Sequence, residues 1–550
     1  MRCAMSVSAV LLLAGMAGCT QPVAPPASPP AGQSPSQAAA FDVVIRGGRV
    51  VDGTSNPWFV ADVGIKGDAI AAVGLGLDTT GARVIDANGL AVAPGFIDVH
   101  SHSESSSGGI IGVPMAENNV RQGVTTVFAN PDGGGAVPIT DFLTKVAAAR
   151  PAINVGSFIG QGAIRGKVVG NDNRPATAAE IDAMRELVRQ GMRDGAFGLS
   201  TGLFYVPGNF APLDEVVELA SVAGGLGGIH ESHMRNEAAG VLDSVRETIA
   251  IGERGHLPTQ VTHHKIIGKN NWGRSVETLR LVDEARARGV DVTIDQYPYT
   301  ASSTSIQGGL MPQWAQDGGR ARVLERLKDP TAAGKIKAEI VRVLADERGG
   351  GDPANVALAA CEWDPSLAGK NLSQVLRDRQ KPVTLPNAAD LVIEIVEKGN
   401  CSAIYHAISE DDLIRILKHP ATMIASDAAP GEPEFGKDVP HPRAYGTFAR
   451  VLGVYVREQH VLTLEDAVRK MSSYPASRMG LRDRGLVRPG MKADLVVFNP
   501  GTIKDLATFE KPHQYAAGVS AVFVNGQLVL DQGKMTGARP GRVLYGPGRR

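Results

Sequence analysis

The segment Pro94-Gly95-Phe96-Ile97-Asp98-Val99-His100-Ser101-His102 carries an apolar run into two histidines spaced by one residue. On a strand, residues two apart share a face, so His100 and His102 can grip one cation between them. The apolar run argues that this strand is buried, with the pair at its C-terminal end. Ligand-type side chains end later apolar runs as well: His233 in GGIHESHMR, His263 in TQVTHHK and Asp427 in ATMIASD. Singly, each is more often a hydrogen-bonded structural residue. Together they offer borderline-soft nitrogen and hard oxygen donors, a set that suits Zn²⁺. A cation held so would polarise a carbonyl and lower the pKa of a bound water, the requirements of hydrolysis.

For these residues to meet, the elements bearing them must share one mouth. Eight apolar strands are predicted: Phe96–His102, Val124–Asn130, Ile153–Ile159, Ala196–Ser200, Gly228–His233, Gln260–His264, Val290–Gln296 and Met423–Asp427. Helical stretches such as Ala178–Arg193 and Leu213–Ala223 separate them. Strands alternating with helices make an α/β protein, a (β/α)8 TIM-like barrel whose chemistry sits at the C-terminal strand ends. The barrel is expected over residues 94–484. Roughly 120 residues separate the seventh and eighth strands, more than a crossover helix needs, so an insertion is expected over about 301–400. Residues 41–93 and 485–545 show short alternating runs with Gly and Asn-Gly turns, and should pair into a small β-sandwich made by both chain ends.

Composition narrows the function class. With 56 basic and 57 acidic residues, the 550-residue chain has no cationic surplus for nucleic acid. Four cysteines (Cys3, Cys19, Cys361 and Cys401) are too few and too scattered for a disulfide framework or a CxxC metal site. Residues 1–18 read as an export signal: Arg2, an apolar run, then small residues. They end in Met16-Ala17-Gly18-Cys19, which resembles a bacterial lipobox, with Met16 where leucine is usual, so ordinary secretion stays open beside lipidation. Residues 19–40, rich in Pro, Ser and Ala, would be a disordered tether. The expected location is periplasmic or anchored to the outer membrane, with membrane contact only through the lipid.

These strings also carry a resemblance. The order HxH, His, His, Asp along the strands resembles the amidohydrolase superfamily. APGFIDVHSH, RQGVTTV, DGAFGLSTGLFYVPG, SHMRNE, VTHHK, DQYPYTASST, IASDA and HPRAYGTFARVLG resemble its D-aminoacylase (N-acyl-D-amino-acid deacylase) family over Phe41 to Leu544. The resemblance implies one or two zinc ions, with His100 and His102 on the more exposed metal position and His233 and His263 on the tighter one. Asp427 would be a metal neighbour and the general base. Lys265, Tyr297 and Arg443 would hold the carboxylate of a small N-acyl amino acid or dipeptide. Where the family has a bridging Cys, register places Asp132 in Asn130-Pro131-Asp132-Gly133. A carboxylate can also bridge two cations, although Pro-Asp-Gly is equally a turn signature. Gln161 stands where the family has histidine and is left out of the site. The same constellation would serve a cyclic amidase or deaminase, and the changed bridge keeps open a non-catalytic lipoprotein that binds acylated peptides.

Overall fold

The computed structural model describes residues 40–105, 109–432 and 437–549. The expected signal peptide, the lipobox Cys19 and the tether up to residue 39 lie outside them. Among the described residues, no helix is long and apolar enough to cross a membrane.

The expected (β/α)8 barrel is present. Its strands are β1 (Phe96–Asp98), β2 (Val124–Ala129), β3 (Asn154–Ser157, resumed at Ile159–Gly160), β4 (Gly198–Gly202), β5 (Ile229–His233), β6 (Thr259–Val261), β7 (Val292–Gln296) and β8 (Thr422–Ile424). Each pairs with the next in parallel. A parallel bridge between Ser101 and Ala428 closes the cylinder. Buried Asp98 tightens that seam, accepting hydrogen bonds from the Ser426 N–H at 3.0 Å and from the His100 N–H at 3.3 Å. Burial pushes its carboxyl up to about 7.

The helices that follow the strands form for local reasons. Ala178–Asp194 begins with a capping box between Thr177 and Glu180 and stops at Gly195, whose φ of 117° suits a residue without Cβ. Its buried face carries Met184, Val188 and Met192. The cylinder floor is packed by Ile97, Phe128, Phe158, Phe197, Ile229 and Met423. Phe128 and Phe197 meet edge to face at 4.9 Å, which leaves the polar groups to the upper layer.

Both chain ends build one mixed sheet of nine strands, drawn from Val43–Pro94 and from Leu495–Met535. Strand Leu495–Phe498 joins the halves by pairing with Ala91–Pro94. Ile45, Val63 and Ile65 share a core with Leu495, Val497 and Phe523, so the two halves cover one another's apolar faces.

The segment between β7 and β8 folds around its own core of Ile336, Ile340, Leu358, Val392 and neighbours. Strands Ser302–Ser305 and Val356–Ala360 flank Ser402–Tyr405 in an antiparallel sheet, so its last strand runs a few residues past position 400. Cys361 and Cys401 are joined by a disulfide here, a pairing the cysteine count did not suggest. The count was uninformative because 40 residues separate partners that adjacent strand ends bring together.

Candidate metal centre

Four residues, His100, His102, Asp132 and Asp427, present ligand atoms within 4.8 Å of one another. A second group, Asp132, His233 and His263, does the same. Asp132 belongs to both. Its Oδ1 lies 3.4 Å from His100 Nε2 and 3.4 Å from His263 Nε2, and its Oδ2 lies 3.3 Å from His233 Nδ1 and 3.7 Å from His102 Nε2. Asp427 Oδ1 is 3.1 Å from His102 Nε2 and 3.6 Å from His100 Nε2. All six expected donors therefore converge.

Backbone geometry explains how they do so. β1 ends at Asp98, earlier than the expected His102; beyond it the Ser101 N–H still donates to Phe128 O of β2 at 3.0 Å while Ser101 bridges Ala428 after β8. His100 and His102 are thus presented by the closing seam and not by a regular strand. On β5, alternation puts Ile229, Glu231 and His233 on the inner face. His263 is different: alternation gives it the face of Val261, which packs outward among Val245, Leu279 and Val282. A φ of 35° turns it back into the mouth. Asp132 (φ 56°) and Asp427 (φ 53°) are also left-handed, strain that clusters where side chains must be aimed. The Asp132 turn lies tight on the neighbouring strand ends; a Cβ on Gly202 would sit 2.0 Å from Asp132 O.

The residues present fit a cation pair. Buried His100 Nε2 and Asp132 Oδ1 have no hydrogen-bond partner, and both point between the two donor groups. Unpartnered buried polar atoms are costly unless something is held there. Burial would raise the Asp132 carboxyl, but His100 and His233 outweigh it and hold it well below the usual carboxylate range. Burial opposes ionisation of Asp427 too; Arg443, His263 and His102 overcome it and keep the carboxylate charged. Burial lowers His233. For His263, burial and Lys265 act downward but carboxylates prevail, raising it to about 9.

Four of the six donors, His102, Asp132, His233 and Asp427, line a cavity of about 330 Å³ with Lys265, Tyr297 and Arg443, the three expected carboxylate holders. Tyr297 lies between the other two, with Arg443 Cζ 4.7 Å and Lys265 Nζ 5.6 Å from its ring centre. Its buried hydroxyl has no partner. Arg443 Nη1 donates to Asp427 Oδ2 at 2.6 Å, so it belongs to the site. Gln161 is buried with both polar atoms unpartnered and lies outside both donor groups. A larger cleft of about 880 Å³ lies beyond Phe204, lined by Arg235, Trp314 and Arg342 and by none of the six donors.

Three further charged residues escaped the sequence reading. Glu237 bonds Lys265 Nζ and lies 3.2 Å from His263 Nδ1. Arg348 enters the cavity from the insertion. Glu104 accepts from the Asn130 N–H at 2.9 Å and meets His102 Nδ1 at 3.1 Å, so one carboxylate orients a ligand histidine and the Asp132 turn. The SHMRNE string contained Glu237, but nothing in its spacing marked it. Glu104→Ala is expected to weaken metal at the His102 position by about 10–100-fold, the usual cost of losing an outer partner. Metal titration against a chelator measures this, and unchanged affinity would refute the orienting role.

The comparisons agree with this geometry. Residues 83–332 and 381–530 match the model of the amidohydrolase family. D-aminoacylase of Alcaligenes xylosoxydans xylosoxydans is 36% identical over 93% of this chain and 99% of its own length. N-acyl-D-glutamate deacylase of the same organism is 35% identical over 92% of this chain and 96% of its own. A crystal structure of D-aminoacylase superposes with a TM-score of 0.77 at 35% identity, covering 92% of this chain and 100% of that one. N-acyl-D-glutamate deacylase from Bordetella bronchiseptica, solved with zinc and a phosphonate mimic of the tetrahedral intermediate, gives 0.76 at 34% identity, covering 92% and 99%. A D-hydantoinase at 17% identity and a TM-score of 0.55 shares the fold. Family match, length-spanning identity and barrel architecture together show that this chain belongs to the amidohydrolase family, in its D-aminoacylase group.

Proposed function

We propose that the chain is a zinc-dependent hydrolase that cleaves the amide bond of N-acyl-D-amino acids. The observation that carries this reading is Asp132, shared by two donor groups, beside an ionised Asp427 in a cavity edged by Lys265, Tyr297 and Arg443. His100, His102 and Asp427 would hold one ion, His233 and His263 the other, with Asp132 between. When bound, zinc supplies Lewis acidity toward the scissile carbonyl and lowers the pKa of a water. Asp427 accepts the water proton at Oδ1 and returns it to the departing amine. Arg443, bonded to Oδ2, fixes the carboxylate's orientation and keeps it ionised. Lys265 and the Tyr297 hydroxyl take the substrate's α-carboxylate, with Arg443 on the far side of the ring. One or two ions both accord with the donor set; one solved D-aminoacylase is described as having a binuclear centre with one-metal activation and second-metal attenuation.

The test is release of free amine from N-acetyl-D- and N-acetyl-L-amino acids with added Zn²⁺, run beside hydantoins and dihydropyrimidines. Turnover confined to the cyclic amides would replace this reading with a cyclic amidase. Protein that takes up no zinc and turns over nothing would be a binding protein instead.

An exported, N-terminally anchored enzyme is part of the same proposal. The leader and Cys19 support it, and so does the Cys361–Cys401 disulfide, a bond that persists in oxidising compartments. Fractionation of wild type and Cys19→Ser tests the anchor: both forms remaining soluble would refute it.

A further inference from the structure

Both imidazoles of the Asp132–His233–His263 group turn one nitrogen inward. His233 Nδ1 and His263 Nε2 stand 2.9 Å apart and face the Asp132 oxygens at 3.3 and 3.4 Å. The outer nitrogens are therefore His233 Nε2 and His263 Nδ1, and a single carboxylate lies against both. Glu237 Oε1 is 3.2 Å from His263 Nδ1. Its Oε2 is 3.8 Å from His233 Nε2, a buried atom with no hydrogen-bond partner. At that length the second contact is electrostatic and not a hydrogen bond. A neutral imidazole carries one N–H, so an inner nitrogen that offers its lone pair to a cation leaves the proton on the outer one. A carboxylate behind the ring attracts that proton and fixes the ring's orientation.

Glu237 is 3% exposed and is placed by its loop. Asn236 Oδ1 accepts from the Ala238 N–H at 2.8 Å and from the Gly240 N–H at 3.0 Å. The Ile267 N–H donates to Glu237 O at 2.8 Å, pinning the loop after β5 to the loop after β6. Lys265 makes this placement consequential. Its Nζ donates to Glu237 Oε1 and stands 2.7 Å from His263 Nδ1. An ammonium and an imidazole N–H are both donors, so with a cation on Nε2 they stay this close only across a shared acceptor. Oε1 is that acceptor. Arg348 Nη2 reaches Oε2 at a long 3.5 Å and its Nη1 has Ser302 Oγ nearer at 3.2 Å, so it competes weakly for the carboxylate.

We propose that Glu237 is a positioning residue, not a ligand, that presents His233 and His263 to one metal position and holds Lys265 beside them for the substrate's carboxylate. The Lys265 half rests on the deacylase reading; the metal half does not. Glu104 stands behind His102, so each histidine pair has an outer carboxylate of its own.

Zinc affinity is measured by chelator competition in two backgrounds: His102→Ala, which cripples one metal position, and His233→Ala, which cripples the other. Glu237→Gln is expected to weaken zinc by about 10–100-fold in the first background and to leave the second unchanged. Glu237→Asp, with the charge one methylene short, recovers part of the loss. With zinc saturating, Glu237→Met raises KM for N-acetyl-D-leucine by about tenfold, the worth of one hydrogen bond to a charged group, with a smaller change in kcat. Zinc loss equal in both backgrounds would mean that Glu237 only supports the fold, and would overturn the proposal. So would zinc affinity that survives Glu237→Gln in the first background, or a KM unmoved by Glu237→Met. Where these variants do not fold, zinc-loaded wild type decides: nitrogen–proton correlation spectra of histidine-labelled protein should place the His263 proton on Nδ1, in a downfield signal typical of a carboxylate partner. A proton found on Nε2 would overturn the assignment. Selective zinc loss with no turnover of any probe would sustain the metal half and sink the deacylase reading, and with it the Lys265 half.

Discussion

Asp427→Asn lowers kcat by about 10²–10⁴-fold, the range attached to removing a positioned general acid–base group. Asparagine keeps the shape of the side chain and tolerates the left-handed backbone at φ 53°, so the loss is one of charge and proton affinity. The wild-type carboxylate is ionised because Arg443 at 2.6 Å, with His263 and His102, overrides the effect of burial. Its folded-state pKa is depressed, so the charged form is fully present above the ordinary carboxylate range. The ratio of mutant to wild-type rate should therefore be constant between about pH 6 and 8. Metal per chain separates this from ligand loss, since His100, His102 and Asp132 still face one another. Near-normal metal with a collapsed kcat supports the base; equal rates from both proteins would defeat it. Arg443 left without its buried partner is a separate cost, of about 3–5 kcal/mol in stability, which a thermal melt reports.

Asp132→Asn is the second large effect. Asp132 is the residue common to both donor groups, and each of its oxygens lies within 3.7 Å of two histidine nitrogens. Removing its charge while keeping its turn geometry should weaken binding of the second ion by more than the about 10–100-fold that an outer partner costs. Asp132→Cys should recover zinc, because a thiolate is a strong ligand for that metal. The left-handed φ of 56° makes cysteine somewhat strained there. Metal content after dialysis against a graded chelator series reads both variants. An Asp132→Asn protein that holds two ions as firmly as wild type would show that Asp132 is only a turn residue.

The residues that could be read early are those whose meaning is local. HxH after an apolar run, His233 on the inner parity of β5, and Asp427 after Met423-Ile424-Ala425 each carry their own signal. The alternation of apolar strands with amphipathic helices gave the barrel, since side-chain period follows directly from backbone geometry. His263 was marked by its place at the end of an apolar run, although strict alternation points it outward. Glu104, Glu237 and Arg348 were missed for another reason: acidic and basic residues on helix ends and loops are usually solvated, and only burial reveals the exceptions.

Local patterning, then, was enough for the strand order, the ligand chemistry and the family, because periodicity and ligand spacing are properties of a few consecutive residues. Only the closed cylinder decided that Asp132 stands between two histidine pairs, that Arg443 holds the base, and that an inserted arginine faces the same cavity. Those contacts join residues carried by different elements, and they depend on where β1 meets β8 and on a few left-handed φ angles, neither of which leaves a periodic mark on the chain.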